Sequence, residues 1–355
     1  MISSTIPDRS DIRARIAALP RSKTSGRLGE ASLPLRACAA LVLLYVVPFC
    51  HAQANMDKPE VWMMPPGNEG RSFRELSGQP EAWQETRSLI HVLGCTDLQT
   101  QKLFTDDELR GWFALMNGWG LKFGVEVGAI KEWGLTGAKT FAAERPLWER
   151  VQRLGGKIYA VAMDEPLVCC RQHIRQTDAY AVQETANYIA LVRQHFPDVR
   201  VGDIEAYPSI PLPDHIWWIE ALNKRLAEMK VRGLDFYRLD VDWAAFVVRD
   251  QCSWRDVKKI EQACRKRNLS FSLIYWASGL PAMQRKGLAD DSTWYTGIMQ
   301  QGYDYAFVGG APDQVVIESW VQAPARVLPE TGEFTFTRSV RDFVKKFVQA
   351  KQASP

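Results

Sequence analysis

The feature that most constrains this chain is an alternation repeated eight times between residue 60 and residue 350: a short apolar run, then a longer helix-forming stretch. The most sharply bounded run is Lys157-Ile158-Tyr159-Ala160-Val161-Ala162-Met163, which ends abruptly in Asp164-Glu165-Pro166. Continuous apolar sequence without alternation marks a strand buried on both faces, as in a parallel sheet. Proline cannot donate to a sheet ladder, so Pro166 closes the strand and leaves Asp164 and Glu165 at its C-terminal lip. Parallel α/β folds place their binding and catalytic groups on that lip.

The other strands are expected at 61–66, 88–95, 121–130, 199–207, 234–243, 269–277 and 314–321. Helices are expected at 73–87, from 106 through Leu115, and at 146–154, 177–196, 213–230, 253–267, 291–307 and 337–350. Local chemistry supports these boundaries. Thr105-Asp106-Asp107-Glu108 has the Thr-x-x-Glu form of a capping box, Ser253 can cap the helix after it, and Gly155-Gly156 stops the helix before it. Strands alternating with helices form a parallel sheet, and eight units of about 35 residues fit a closed (β/α)8 TIM barrel better than an open doubly wound sheet. An open sheet would want a Gly-rich phosphate turn, and no G-x-G-x-x-G or Walker sequence occurs. No linker rich in Pro, Gly or Ser interrupts residues 55–355, so these read as a single domain.

Residues 1–54 have the composition of a secretory leader. Seven Lys/Arg stand against three acids, an apolar run covers 37–49, and Ala52-Gln53-Ala54 offers a small-residue cleavage site. The run is too short to span a bilayer comfortably. On this reading the mature protein is secreted or periplasmic, with no membrane association after cleavage. The leader carries +4 of a total of +3, so residues 55–355 are close to neutral, and no nucleic-acid partner is expected. Five cysteines remain there (Cys95, Cys169, Cys170, Cys252 and Cys264) with no C-x-x-C, which argues against a zinc ribbon or a thioredoxin-type site.

Acids recur towards the ends of the expected strands: Glu126 on the third, Asp164 and Glu165 on the fourth, Asp203 and Glu205 on the fifth, Asp240 and Asp242 on the sixth, Glu318 on the eighth. Side chains alternate along a strand, so Asp203 shares a face with Glu205, and Asp240 with Asp242. Carboxylates gathered at one mouth raise one another's pKa, which lets one serve as a general acid while a neighbour stays ionised. Tyr207, Trp243, Tyr275, Trp276 and Trp320 fall at or just past strand ends. Flat rings beside carboxylates suit a carbohydrate, whose C–H faces stack on rings while its hydroxyls bond the acids. The expected substrate-binding set is therefore Glu126, Asp164, Tyr207, Asp240, Asp242, Trp243, Tyr275, Trp276 and Trp320.

Asp164-Glu165-Pro166 resembles the Asn-Glu-Pro of the large clan of retaining (β/α)8 glycoside hydrolases. The resemblance implies a glycoside hydrolase acting on a poly- or oligosaccharide, with Glu165 as acid/base. Two departures matter. Asp164 replaces the Asn that holds the sugar 2-hydroxyl, and the seventh strand offers no Glu as nucleophile. Glu318 is the first substitute, with Glu205 or Glu126 behind it, and retention or inversion stays open. Two rival readings are a sugar-binding barrel without catalysis and a hydrolase using a carboxylate-held metal. His-rich metal sites are disfavoured, because 55–355 holds only His91, His173, His195 and His215 with no H-x-H pair. No G-x-S-x-G elbow occurs for a serine nucleophile. No cofactor is expected, and the oligomeric state is left open.

Overall fold

A computed structural model describes residues 59–96, 100, 102–248, 252–277 and 290–349. The leader expectation for 1–54 lies outside the described residues. Eight parallel strands close on themselves in sequence order, β1 (Glu60–Met64), β2 (Val92–Thr96), β3 (Lys122–Val127), β4 (Ile158–Asp164), β5 (Arg200–Tyr207), β6 (Phe236–Val241), β7 (Ser270–Tyr275) and β8 (Gln314–Glu318), with β8 pairing back to β1. This is the expected (β/α)8 barrel. Closure leaves no exposed sheet edge, and every strand is covered on one face by helices and on the other by the barrel interior.

The principal helices are α1 (Arg71–Gly78), α2 (Gln84–Leu89), α3 (Asp106–Gly118), α4 (Gly137–Arg153), α5 (Asp178–His195), α6 (Leu212–Glu228), α7 (Trp254–Arg265), α8 (Asp291–Phe307) and α9 (Phe336–Val344). The capping box forms as expected: Glu108 donates its backbone N–H to Thr105 Oγ1 at 3.2 Å, and Thr105 donates its own to Glu108 Oε2 at 2.8 Å. Thr177 and Ser253 likewise accept from the first turns of α5 and α7.

Three boundaries differ from the expectation. The helix expected over 73–87 is broken, because Gly78-Gln79-Pro80 ends α1 and a 3-10 turn precedes α2, which then pushes β2 to Val92. α4 begins nine residues before Pro146, with Thr136 as its cap, so the proline lies inside the helix rather than at its start. The stretch between β4 and α5 is not loop: Pro166–Val168 is helical and runs into a π-helical turn at Cys169–His173.

Two apolar clusters divide the core. The outer one lies between strands and helices and includes Val61, Met63, Val125, Val161, Tyr237 and Leu273. The inner one fills the barrel with Trp62, Met64, Val92, Ala160, Ala162, Ile204, Phe236, Ile274, Trp276 and Val316. At the closed end of the barrel, Glu60 accepts from Trp62 Nε1, Lys122 Nζ, the Tyr159 hydroxyl and Gln314. Buried charge is tolerable there because it is paired and hydrogen-bonded on several sides. Among the described residues no helix is long and apolar enough to cross a membrane, and Cys169, Cys170 and Cys264 are free thiols.

Candidate active site at the barrel mouth

The strand ends bring five carboxyl groups to the C-terminal mouth: Glu126 from β3, Asp164 from β4, Glu165 just after it, Asp240 from β6 and Glu318 from β8. Their convergence follows from the register, which pairs Glu126 with Ala162, Asp240 with Ala206, and Glu318 with Met64 near the strand ends. Asp240 has the parity of the inner-cluster residue Phe236, and Glu318 that of Val316.

Asp164 and Asp240 have defined partners. Lys131 Nζ, from the loop after β3, donates to Asp164 Oδ2 at 2.6 Å. Trp276 Nε1 donates to Asp240 Oδ1 at 2.7 Å, and its ring lies 4.2 Å from that of Trp320, which is 48% exposed. Glu126 and Glu318 lie close enough for the charge of Glu126 to help raise the Glu318 carboxyl, after burial. No protein group bonds Glu318 Oε2, although it is buried.

Beneath the carboxyls sits Arg238, fully buried. Its Nε donates to Ser272 Oγ at 3.0 Å and its guanidinium lies 4.2 Å from the Trp62 ring, while Nη1 and Nη2 have no hydrogen-bond partner. Burial lowers the Arg238 pKa to about 10, opposed by the charges of Glu126, Glu318 and Glu60, so it stays cationic at neutral pH. Burial, then the charge of Asp164, raises Glu165 to about 7, with Lys131 opposing. Glu126 rises to about 7 for the same first two reasons, with Arg238 opposing. Burial and the neighbouring carboxylates push Asp240 and Glu318 well above the ordinary carboxylate range. Carboxyls poised this way at strand ends are what general acid–base chemistry at neutral pH needs.

Glu165 is also strained. It adopts φ 50° and ψ 51°, in the left-handed region that disfavours a side chain. Its N–H bonds Ile204 O at 3.0 Å, and its C=O accepts from Cys169 N at 2.8 Å, so neighbours on both sides impose the conformation. Non-glycine residues held so are concentrated at functional sites.

The parity expectation for β5 requires correction. Asp203 and Glu205 do share a face, but it is the outer one: Ile204 between them points into the barrel. Asp203 accepts from Trp218 Nε1 of α6 at 2.6 Å, and Glu205 accepts from the N–H groups of Leu167 and Val168 at 2.6 and 3.2 Å. Glu205 therefore leaves the candidate catalytic set; it holds the turn that follows Glu165. Tyr207 has the same outward parity and sits among His215 and Phe246, with its hydroxyl near Asp256. Tyr275 points outward against Phe343 of α9. Trp243 is buried against Gly297 of α8, and Asp242 caps its own short helix by accepting from Ala245 N. Outward rings fill the interface between strands and helices, which is apolar and deep enough to need them.

The mouth thus holds Glu126, Asp164, Glu165, Asp240, Glu318, Trp276 and Trp320 of the expected residues, and adds Lys131 and Arg238. Arg238 could have been found from its two-residue spacing to Asp240. Lys131 lies in a loop, where no periodicity speaks. Among the described residues, no group of three or more His, Cys, Asp or Glu is arranged to hold a metal ion.

No protein-family model matches the sequence. No curated protein matches it either. Among solved structures, the chain is similar to a GH39 β-xylosidase from Caulobacter crescentus (10% identity, 80% of this chain and 71% of that one, TM-score 0.49). It is likewise similar to a psychrophilic family 10 endo-β-1,4-xylanase (11% identity, 81% and 97%, TM-score 0.43). A third similar structure is the YdjI aldolase from Escherichia coli K12 (10% identity, 81% and 88%, TM-score 0.45). Glycoside hydrolases and aldolases stand side by side at the same similarity, so the neighbours do not choose a chemistry.

Proposed function

We propose that the protein is a glycoside hydrolase acting on a poly- or oligosaccharide, exported from the cytoplasm by residues 1–54. The observation that carries this reading is five carboxyl groups at one mouth beside the Trp276–Trp320 ring pair. Glu165, raised to about 7, is neutral below that pH and can give its proton to the leaving glycosidic oxygen. Glu126 ionises near pH 7 beside a Glu318 held neutral to higher pH, and the buried guanidinium of Arg238 supports that negative charge from below. That charge stabilises positive charge developing at the anomeric carbon, either by direct attack or by activating water. Asp240, fixed by Trp276, and Asp164, fixed by Lys131, are placed to accept from sugar hydroxyls.

The test is release of reducing ends from a panel of soluble polysaccharides, with Glu165→Gln and Glu318→Gln measured beside the parent. In both variants kcat should fall by at least about 10²-fold, while calorimetric affinity for the same saccharide holds. Binding without turnover in the parent would instead make it a carbohydrate-binding barrel. Turnover undiminished in Glu165→Gln would remove Glu165 from the mechanism. Activity should also decline as pH rises through about 7, where Glu165 loses its proton.

A further inference from the structure

The loop after β3 carries a feature that the five-carboxyl site does not use. Lys131 and Gly134 pair their main chains in a tight turn, with Lys131 N donating to Gly134 O at 3.2 Å and Gly134 N to Lys131 O at 2.9 Å. Glu132 and Trp133 form the tip, and Trp133 is 61% exposed. The turn is fastened from several sides. Lys131 bonds Asp164 at 2.6 Å, Thr140 Oγ1 donates to Gly134 O at 2.8 Å, and Glu132 lies 3.3 Å from His173. A Cβ on Gly134 would stand 2.3 Å from Thr140 Oγ1, so the turn is packed closely onto the start of α4. One edge of the indole sits over Gly128, where a Cβ would lie 3.0 Å from the ring. The rest of the ring faces water, although apolar surface buried there would stabilise the fold by about 25 cal/mol per Å².

Strand order places the turn that carries this ring. In a closed eight-stranded barrel, β3 lies across the mouth from β7, which carries Trp276 at its end, and the carboxyls of β3, β4, β6 and β8 occupy the ground between. The turn that bears this exposed indole, tied to Asp164 through Lys131, and the Trp276–Trp320 pair thus stand on opposite rims of the mouth.

We propose that Trp133 is a binding platform for a sugar unit outside the cleavage position, so that the ligand is a chain spanning the mouth and not a single sugar. The proposal rests on the glycosidase reading and deepens it by naming the substrate's form. An aromatic face held by a rigid turn binds a pyranose C–H face at little conformational cost, which is how a preorganised contact contributes affinity.

The experiment uses the full chain in the Glu165→Gln background. Soluble xylan, β-glucan and chitosan are titrated, each as polymer and as disaccharide, by affinity electrophoresis and calorimetry. Trp133→Ala should weaken polymer binding about tenfold and leave the disaccharide unchanged, Trp133→Phe should restore most of the loss, and Trp320→Ala should weaken both. If Trp320→Ala weakens binding but Trp133→Ala does not, the platform proposal falls while the carbohydrate reading stands. An equal loss for polymer and disaccharide in Trp133→Ala would place the ring at the cleavage position and also overturn it. If the Glu165→Gln protein and the parent bind none of these saccharides, both readings fall together.

Discussion

Glu165 concentrates the chemistry of the site in one residue. It is raised to about 7 because burial and the Asp164 charge outweigh Lys131, and its backbone is held at φ 50° by bonds to Ile204 and Cys169. A left-handed conformation costs an L-residue about 1–2 kcal/mol and glycine nothing, offset in part by glycine's larger loss of chain entropy. Glu165→Gly should therefore be more stable than Glu165→Ala by about 1 kcal/mol, though neither can transfer a proton; urea unfolding of the two variants checks this. A Gly variant less stable than the Ala variant would mean the strain is absent in solution. Glu205 makes the complementary case. Its buried carboxyl accepts two backbone N–H groups of the turn after Glu165. Glu205→Ala leaves both donors unmet and should cost about 2 kcal/mol in the same measurement. Glu205→Gln, whose amide oxygen still accepts, should lose less.

At the scale of strands, the barrel closes around large inner rings only because certain positions carry no side chain. A Cβ on Gly202 of β5 would stand 2.0 Å from Phe236, and one on Gly124 of β3 would stand 2.2 Å from Trp62. Phe236 and Trp62 are the two rings against which Arg238 lies, at 5.1 and 4.2 Å. Gly202→Ala must displace Phe236 and should cost about 1–3 kcal/mol, read as a lower urea midpoint at unchanged slope. Because Phe236 supports the guanidinium that opposes the rise of Glu126, the pH at which Glu126 ionises should shift as well. A variant of unchanged stability would mean the ring repacks freely. The helices show the converse. Pro146 reads as a helix start because proline suits a first turn, yet α4 runs through it from Thr136, since packing along a long apolar face outweighs one lost hydrogen bond.

For the whole molecule, stability should peak on the acid side of neutrality. Glu126 and Glu165 bind protons more tightly in the native barrel than in the unfolded chain, their pKa values rising from 4.5 to about 7. Their contribution is complete below about pH 4.5 and is lost as pH rises through about 7. Other carboxylates act in the opposite sense. Salt-bridged Glu108 is lowered to about 2, and Glu60 is lowered as well because Lys122, Arg200 and Tyr159 together outweigh its burial. Their contribution is present above about 4.5 and fails as pH falls below that, for Glu108 through about 2. Urea midpoints should therefore be higher near pH 5.5 than near pH 8, and Glu165→Gln should flatten that slope. A midpoint that rises steadily from pH 5.5 to pH 8 would contradict the raised carboxyls.

The sequence by itself determined the barrel, its strand order and the strand-end positions of Glu126, Asp164, Glu165, Asp240 and Glu318. Eight apolar runs with eight helices between them have few other ways to bury their surfaces, and proline and acid residues mark where each run ends. Period-two alternation also told correctly that Asp203 and Glu205 share a face. Only the tertiary structure decided which face that is. A parallel-barrel strand is apolar on both sides, so its pattern groups side chains into two sets without saying which set looks inward. Glu205, Tyr207 and Tyr275 were lost to the helix layer for that reason. Lys131 and Trp133, on a loop whose course depends on the packing beneath it, came into view for the complementary one: no local period records where a loop will lie.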